Sequence, residues 1–388
     1  MKKILIISNL YFPYVGGGAE YSTKILAEEL VKEKCDVEVL TVGQYDINEL
    51  INGVNVNRIN IGFMTKYILN MAMDSDIKLK VFEKIICRLF NYINVPLYRI
   101  FLRFFNSRSY DVIHTTNNMT GFSLYLCWKA AKKSGIRVVH SVRDPSLLSF
   151  KVDLDKKIFL LDMIHRKIAK HYLEKYVDVI HSPSEYMIKL HQKFDFKIER
   201  YRVIPNTVQI SRNIENNKKD IVLYAGNLSR KKGVLDLIEA FLGLENPNYM
   251  LFLIGDGELK EYIGKTYENK NILLLGWISL EEVYKYMREA KVVVLPSRWD
   301  EAFGRILVES VFCGTLPVGS NKGAIPEVLN YESKYIFESR SDLTQKLARI
   351  FFMNDKEYSD EVSRIENNME KFTVRNHVKY FSNLYENI

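Results

Sequence analysis

Short apolar runs separated by helix-period segments recur along almost the whole 388-residue chain, and this alternation limits the fold more than any other feature. The runs are Lys3–Ser8, Val37–Val42, Val112–His114, Arg137–His140, Val177–His181, Ile221–Tyr224, Met250–Ile254, Ile272–Leu275 and Val292–Leu295. They are brief and mostly apolar, as strands covered on both faces must be. Ala19–Glu33, Val234–Leu242 and Leu280–Ala290 carry helical spacing between them, the last with Ser279 placed as its N-cap. Such alternation gives an α/β protein with parallel sheets. It pauses at Asn206–Lys219, which is polar and aperiodic, and a fresh strand then starts at Ile221. The pause predicts two doubly wound domains, 1–208 and 220–370, facing a central cleft. A helical, aromatic-rich segment, 371–388, is expected to pack back on the first domain. Two domains also suit the length.

Charge separates the halves. Residues 1–208 hold 31 basic and 21 acidic side chains and residues 209–388 hold 24 and 26, so the net +8 divides into +10 and −2. The four cysteines, Cys35, Cys87, Cys127 and Cys313, form no CxxC pair, which argues against a zinc knuckle or disulfide framework and suits a reducing compartment. The apolar run after Lys2-Lys3 is too short for a signal peptide, and no uncharged stretch reaches the ~18 residues of a membrane span. A cytoplasmic protein is expected.

One insertion, about 62–108, breaks the pattern. Within it Lys78, Lys80, Lys84, Arg88, Arg99, Arg103 and Arg108 alternate with Val81, Phe82, Ile85, Leu89, Phe101, Phe104 and Phe105 at helical spacing. Two readings stand side by side: a helical pair covering the sheet, or a basic amphipathic surface lying in a membrane interface. The +10 of this half favours anionic lipid or a phosphorylated lipid carrier, with Lys84, Arg88, Phe101, Arg103 and Phe104 as the contacts.

The residues that carry chemistry cluster after strands. Gly16-Gly17-Gly18 precedes a helix and lets backbone N–H groups approach a phosphate, although Tyr21 stands where a dinucleotide fingerprint has its third glycine. In the second half, Gly226-Asn227-Leu228-Ser229-Arg230-Lys231-Lys232-Gly233 opens the helix Val234–Leu242, a basic cluster able to cradle a diphosphate. Pro296-Ser297-Arg298-Trp299-Asp300-Glu301-Ala302-Phe303-Gly304-Arg305 follows a buried strand, and Glu309 lies two helical turns beyond Glu301. Both carboxylates can accept hydrogen bonds from the hydroxyls of one ligand. Asp74-Ser75-Asp76 and Asp153-Leu154-Asp155 match a manganese-binding Asp-x-Asp, but neither follows a buried strand, and the histidines lack zincin spacing. No metal site and no cofactor are expected. Because the best-defined site lies in the −2 half, nucleic acid is not the expected partner.

Taken together, Gly226-x-Leu228-Ser229-x-x-Lys232-Gly233, Pro296-Ser297, Glu301-x7-Glu309, Cys313-Gly314-Thr315-x-Pro317-Val318 and Gly323-Ala324-Ile325-Pro326-Glu327 resemble the retaining nucleotide-sugar glycosyltransferases of family 4. Pro13-x-x-Gly16-Gly17-x-x-Glu20 and Ile204-Pro205-Asn206 fit the same pattern, so the resemblance spans nearly all of the chain except the insertion. It implies the GT-B fold, two Rossmann-like domains around a cleft. Glu309 would bind ribose hydroxyls, Glu301 the transferred sugar, and Lys232 with Asn227, Arg230 and Lys231 the diphosphate. The backbone of Phe303, Gly304 and Arg305 would contact sugar and phosphate. Gly255 and Trp277 would border the base, and Gly16 and Gly17 would meet the phosphate from the first domain.

The implied reaction needs no metal: the acceptor hydroxyl attacks from the leaving-group face and the departing phosphate takes its proton. The acceptor expected from such relatives is a lipid-linked saccharide in bacterial surface polysaccharide assembly at the inner face of the membrane. Two positions depart from the family. Asn227 replaces an arginine, and Arg143 in Ser141-Val142-Arg143-Asp144 stands where a histidine is usual, with His140 three residues before Arg143. His140 and Arg143 are both candidates for reaching the donor sugar or acceptor, and His140, at a strand end, suits a structural role equally. The departures leave room for a catalytically silent partner subunit, and a soluble acceptor is the other alternative.

Overall fold

A computed structural model describes residues 2–14, 18–72, 89, 92–116, 123–149, 159–210, 218–267 and 270–388. Gly16, Gly17, Lys84, Arg88 and both Asp-x-Asp sequences lie outside them. The chain divides into two compact units, one of Met1–Thr207 with Val374–Ile388 and one of Val208–Thr373.

The first unit holds strands β1 (Lys3–Ile7), β2 (Asp36–Val42), β3 (Ile47–Ile51), β4 (Val54–Ile59), β5 (Val112–Thr116), β6 (Arg137–Ser141), β7 (Val179–Ser182) and β8 (Tyr201–Val203). They line up as β3-β4-β2-β1-β5-β6-β7-β8. All pairs are parallel but one. β3 runs antiparallel to β4, joined through Asn52 and Gly53, whose φ of 47° and 85° form the tight turn an Asn-Gly pair favours. That hairpin corrects the expectation of purely parallel sheets.

Its helices are α1 (Gly18–Lys32), α2 (Phe63–Ala72), α3 (Val95–Asn106), α4 (Leu124–Lys133), α5 (Phe159–Tyr176) and α6 (Glu185–Lys193). Strands β1 and β2 are buried almost throughout, which is why they read as continuous apolar runs.

The second unit is a six-stranded parallel sheet in the order β11-β10-β9-β12-β13-β14. Its strands are β9 (Lys219–Ala225), β10 (Met250–Ile254), β11 (Ile272–Gly276), β12 (Ala290–Leu295), β13 (Leu316–Ser320) and β14 (Ile336–Phe337). Around them lie α7 (Val234–Leu242), α8 (Lys260–Thr266), α9 (Leu280–Glu289), α10 (Arg305–Phe312), α11 (Ile325–Val328), α12 (Arg340–Phe352) and α13 (Asp355–Asn367). Ser279 caps α9 as expected, within a reciprocal capping box with Glu282. Val222, Leu237, Leu251, Val292, Leu307, Val318 and Leu347 are fully buried at the centre of this unit.

The last helix, α14 (Val374–Glu386), belongs to the first unit, where Phe381, Leu384 and Tyr385 pack with Ile4, Leu26 and Val112. His377 Nδ1 is 2.8 Å from the Pro205 carbonyl.

Candidate functional site

In the second unit the loops leaving the carboxyl ends of β9, β10, β11 and β12 are tied to one another by backbone hydrogen bonds. Gly226 N donates to Ile254 O (2.9 Å), Leu228 N to Asp256 O (2.8 Å) and Gly255 N to Gly276 O (2.8 Å). Arg298 N and Trp299 N both donate to Lys231 O, at 2.9 and 3.2 Å, and Ala324 N to Glu301 O at 2.8 Å. The glycines make this closeness possible. A Cβ on Gly233 (φ 69°) would sit 1.8 Å from the Pro296 carbonyl oxygen, and one on Gly255 (φ 128°) 2.0 Å from that of Gly226. Only glycine lets the backbones meet there.

This lattice brings the expected charges together in two pairs. Lys232 Nζ is 2.6 Å from Glu301 Oε1, with both side chains partly exposed. One turn into α10, Arg305 Nε donates to Glu309 Oε1 at 2.7 Å, and the Tyr284 hydroxyl donates to the same oxygen at 3.2 Å. Glu309 is 7% exposed, as its apolar flanks suggested. Burial works against the Arg305 charge, yet the Glu309 carboxylate beside it holds its pKa above the usual value. The same burial, with Glu309 adding to it, pushes the Tyr284 phenol up, so it remains a donor.

The rest of the basic cluster is spread over neighbouring roles. Arg230 N donates to Glu258 Oε1 at 3.2 Å, and the Lys231 ammonium lies 4.6 Å from the centre of the Trp299 ring. Asn227 is exposed, and its carbonyl accepts from the Tyr224 hydroxyl at 2.7 Å. The Phe303 side chain is buried against Phe372, with ring centres 5.6 Å apart, which leaves its backbone beside Gly304 (φ 89°) at the start of α10. Trp277 is 83% exposed beside Gly276. Tyr284, the Arg305 side chain and the Arg298–Asp236 pair (2.5 Å) were missed in the sequence. The one available signal was that Arg305 and Glu309 sit four residues apart.

In the first unit His140 is buried, with Nδ1 3.0 Å from Thr115 Oγ1 and its ring 4.8 Å from Trp128, edge to face. Burial drives its pKa down to about 3, so it is neutral at pH 7. Arg143 is 8% exposed and reaches α1, where Nη1 donates to Ala19 O (2.9 Å) and Thr23 Oγ1 (3.0 Å). Its Nε and Nη2 are buried without partners, and burial lowers its pKa to about 10 despite the nearby Glu20 charge.

The membrane contacts expected in α3 need correction at Phe101. Leu97, Phe101 and Phe105 form one stripe at i, i+4 and i+8, all at most 2% exposed. That stripe packs on α4, so Phe101 belongs to the core. Phe104 is half-buried, stacked on Tyr110 at 6.1 Å with the Arg108 guanidinium 4.4 Å above its ring, and Arg103 is exposed. Among the described residues no helix is long and apolar enough to cross a membrane, and no cluster of metal-binding side chains occurs.

Solved structures place this architecture in the GT-B class. Sucrose-phosphate synthase from Thermosynechococcus elongatus matches with a TM-score of 0.76 at 18% identity, over 100% of this chain and 99% of that one. Anabaena HepE in complex with UDP and glucose matches with a TM-score of 0.73 at 16% identity, over the whole of both chains. The chain belongs to glycosyltransferase family 4: the family model of that name matches residues 16–212, and the model "Glycosyl transferases group 1" matches residues 206–372. It is therefore a glycosyltransferase. An uncharacterized 42.6 kDa protein in the cps region of Klebsiella pneumoniae is 26% identical over 92% of each chain. The lipopolysaccharide 1,2-N-acetylglucosaminetransferase of Salmonella typhimurium is 32% identical over 120 residues, 28% of this chain and 32% of that one.

Proposed function

We propose that this glycosyltransferase moves a sugar from a nucleotide-diphosphate sugar to a lipid-linked saccharide during bacterial surface polysaccharide synthesis, with retention at the anomeric carbon and without a metal. The observation that carries the donor half is the pair of ion pairs in one loop cluster, Lys232–Glu301 and Arg305–Glu309. Arg305 and Tyr284 engage only Oε1 of Glu309, which leaves Oε2 to accept from ribose hydroxyls. Glu301 holds Lys232 beside the N-terminus of α7. A diphosphate arriving there takes over the ammonium and frees the carboxylate to accept from hydroxyls of the sugar.

In the transfer, the acceptor oxygen bonds to the anomeric carbon on the face the diphosphate leaves. The carbon–oxygen bond to the phosphate breaks, and the proton of the acceptor hydroxyl passes to the departing phosphate. Lys232 and the backbone N–H groups of the loop stabilise the developing negative charge, which removes the need for a cation such as magnesium. The acceptor half is supported by a relative in a cps region, by a relative named as a lipopolysaccharide N-acetylglucosaminetransferase and by the basic first unit; on this reading the protein works peripherally at the inner face of the membrane.

Thermal unfolding with UDP, GDP, ADP and CMP, each with and without EDTA, tests the donor site. A nucleotide at about 100 times its dissociation constant adds about 2.7 kcal/mol, several degrees in Tm. UDP is the first candidate, given HepE. The expected result is one diphosphate that stabilises equally with EDTA and fails with Glu309→Ala. Stabilisation that requires a divalent cation overturns the metal-free mechanism, and no stabilisation by any nucleotide favours the silent-partner alternative.

A further inference from the structure

Helix α5 turns four apolar residues near its start, Leu160, Leu161, Met163 and Ile164, away from the protein. At about 100° per residue, Leu160, Leu161, Met163, Ile164, Lys167 and His171 fall within one arc of roughly 160°. Among the described side chains of α5 the buried ones are Asp162, Ala169 and Leu173, on the opposite arc. The four apolar side chains of the outer arc are 42–60% exposed. An ordinary surface helix shows the reverse pattern. The patch continues onto the start of α3. There Tyr92 stacks on Tyr125 at 5.5 Å and hydrogen-bonds His165 of α5, leaving Ile93 and Val95 exposed at 74% and 53%.

Beside this ridge runs a groove of about 360 Å³ between α5 and the end of α6, in which Arg166, Lys167, Lys170 and Lys193 converge around Met163 and Phe194. Among the groove's lining residues the carboxylate is Asp195, 3.8 Å from Lys170, and Glu174 is a further exposed carboxylate on the outward arc. Among the described residues Lys167 and Lys193 make no ion pair, and Arg166 lies against the Phe194 ring at 5.2 Å while donating to the Leu148 carbonyl.

We propose that the outward face of α5 docks on an anionic lipid bilayer, its apolar ridge entering the interface and the adjoining basic groove receiving lipid phosphates. Apolar side chains flanked by cations on one helix face are the composition such a surface requires. A second copy of the chain fits less well, because a two-fold contact through this face would set four cations against their own copies. The inference rests on the membrane-side acceptor reading and gives it a different surface from the α3 stripe, which is core.

Co-sedimentation of the full chain with phosphatidylcholine vesicles, with and without 30% phosphatidylglycerol, tests it. Wild type is expected to bind the anionic vesicles at least ten-fold more tightly, with affinity falling as salt rises. Leu161→Ser with Ile164→Ser should reduce binding at least ten-fold, and Lys167→Glu with Lys193→Glu at least twenty-five-fold, at about five-fold per cation. Both pairs should keep the wild-type Tm and nucleotide response, while Arg103→Ala in α3 changes binding little. Wild type that ignores anionic vesicles overturns the proposal. So does vesicle binding lost on Arg103→Ala but kept by the α5 variants, or a dimer that the Leu161/Ile164 variant dissociates without affecting vesicle binding. Vesicle binding together with transfer only to water-soluble saccharides would instead overturn the lipid-linked acceptor and leave the docking surface intact.

Discussion

All seven histidines of the chain lie in the first unit and none in the second, whereas the charges of the expected donor site gather in the second. Two polar clusters, one in each unit, are in opposite states. In the second, Lys232–Glu301, Arg305–Glu309 and Arg298–Asp236 neutralise one another at 2.5–2.7 Å. In the first, a buried chain of neutral groups has a fixed direction. The Ile204 carbonyl accepts from His181 Nε2–H (2.9 Å), which leaves His181 Nδ1 to accept from the Ser141 hydroxyl (2.7 Å). Ser141 oxygen then accepts from His114 Nε2–H (2.7 Å), and His114 Nδ1 accepts from the Tyr385 hydroxyl (2.6 Å). A site of paired charges can exchange partners when a charged ligand arrives. A buried neutral relay tolerates no added proton, because a donor would then face a donor. The first arrangement suits binding, the second holds α14 to its sheet.

The sharpest way to break this comparison is to split the Lys232–Glu301 pair from each side. Lys232→Met leaves Glu301 as an unpaired anion facing the diphosphate, and should weaken nucleotide binding and lower kcat by about 10²–10³. Glu301→Gln releases the ammonium, so nucleotide should bind as tightly as in wild type or more tightly while transfer falls by a similar factor. Titration calorimetry with the nucleoside diphosphate and initial-rate kinetics separate the two. Equal loss of affinity in both variants would mean that the pair is only structural.

Next in size is the glycine lattice. Gly233→Ala puts a Cβ against the Pro296 carbonyl at a φ of 69°, and about 3 kcal/mol of stability should be lost in urea unfolding. A control substitution at Gly62, with nothing within 4 Å of its Cβ, bears only the cost of its φ of 68° and should lose about 1 kcal/mol. Equal losses would show that the loops of the second unit yield more readily than their hydrogen bonds suggest.

Acid should separate the two units. Burial drives His377 to a folded pKa of about 3, against about 6.5 in the unfolded chain. Below pH 6.5 the unfolded chain takes up a proton that the folded chain refuses. This contribution is therefore complete above pH 6.5 and is lost as pH falls toward 3. At pH 5 the loss is about 2 kcal/mol for one such imidazole. His140 behaves likewise, and burial holds His114 and His181 well below their usual value. Between pH 7 and 5 the first unit should thus lose urea resistance while the second, without histidine, changes little. Tryptophan fluorescence reports both, through Trp128 in the first unit and Trp277 and Trp299 in the second. His377→Gln should flatten the acid limb of the first unit by the amount of one imidazole. Coincident acid transitions in both units would break the comparison.

The parallel strands and the carboxylate spacing were legible because both are local: β10 is apolar at every position, and Glu301 in the loop after β12 stands eight residues before Glu309 in the helix that this loop opens. The antiparallel strand β3 was missed although Asn52-Gly53 marks its turn, since Ile47–Ile51 is mostly exposed and lacks a core-facing run. Pro317 hides β13, but the strand tolerates it: pairing with β14 begins only at Gly319, so Pro317 has a neighbour on one side alone. The Phe101 stripe was misjudged for a more general reason. An apolar stripe at i, i+4 and i+8 has the same sequence whether it faces a bilayer or a neighbouring helix, and only the packing on α4 decides. The outward apolar arc of α5 escaped notice because Asp162 and Arg166, which lie off it in space, and Lys167, which lies within it, interrupt the apolar residues in sequence.

The smallest expected effect concerns Tyr284, whose hydroxyl shares Glu309 Oε1 with Arg305. Arg305 is already the closer partner, at 2.7 Å against 3.2 Å, so Tyr284→Phe removes a supporting donor and leaves the carboxylate paired. A neutral donor to a charged acceptor is worth about 1.5 kcal/mol, which corresponds to roughly ten-fold in nucleotide affinity at most. Because the hydroxyl orients Glu309 without touching the reacting carbon, the loss should appear in the KM for donor with kcat unchanged. A fall in kcat would place Tyr284 in contact with the transferred sugar. An unchanged KM would mean that Arg305 alone fixes the carboxylate, in which case Arg305→Lys, which loses the planar fork, should carry the whole effect.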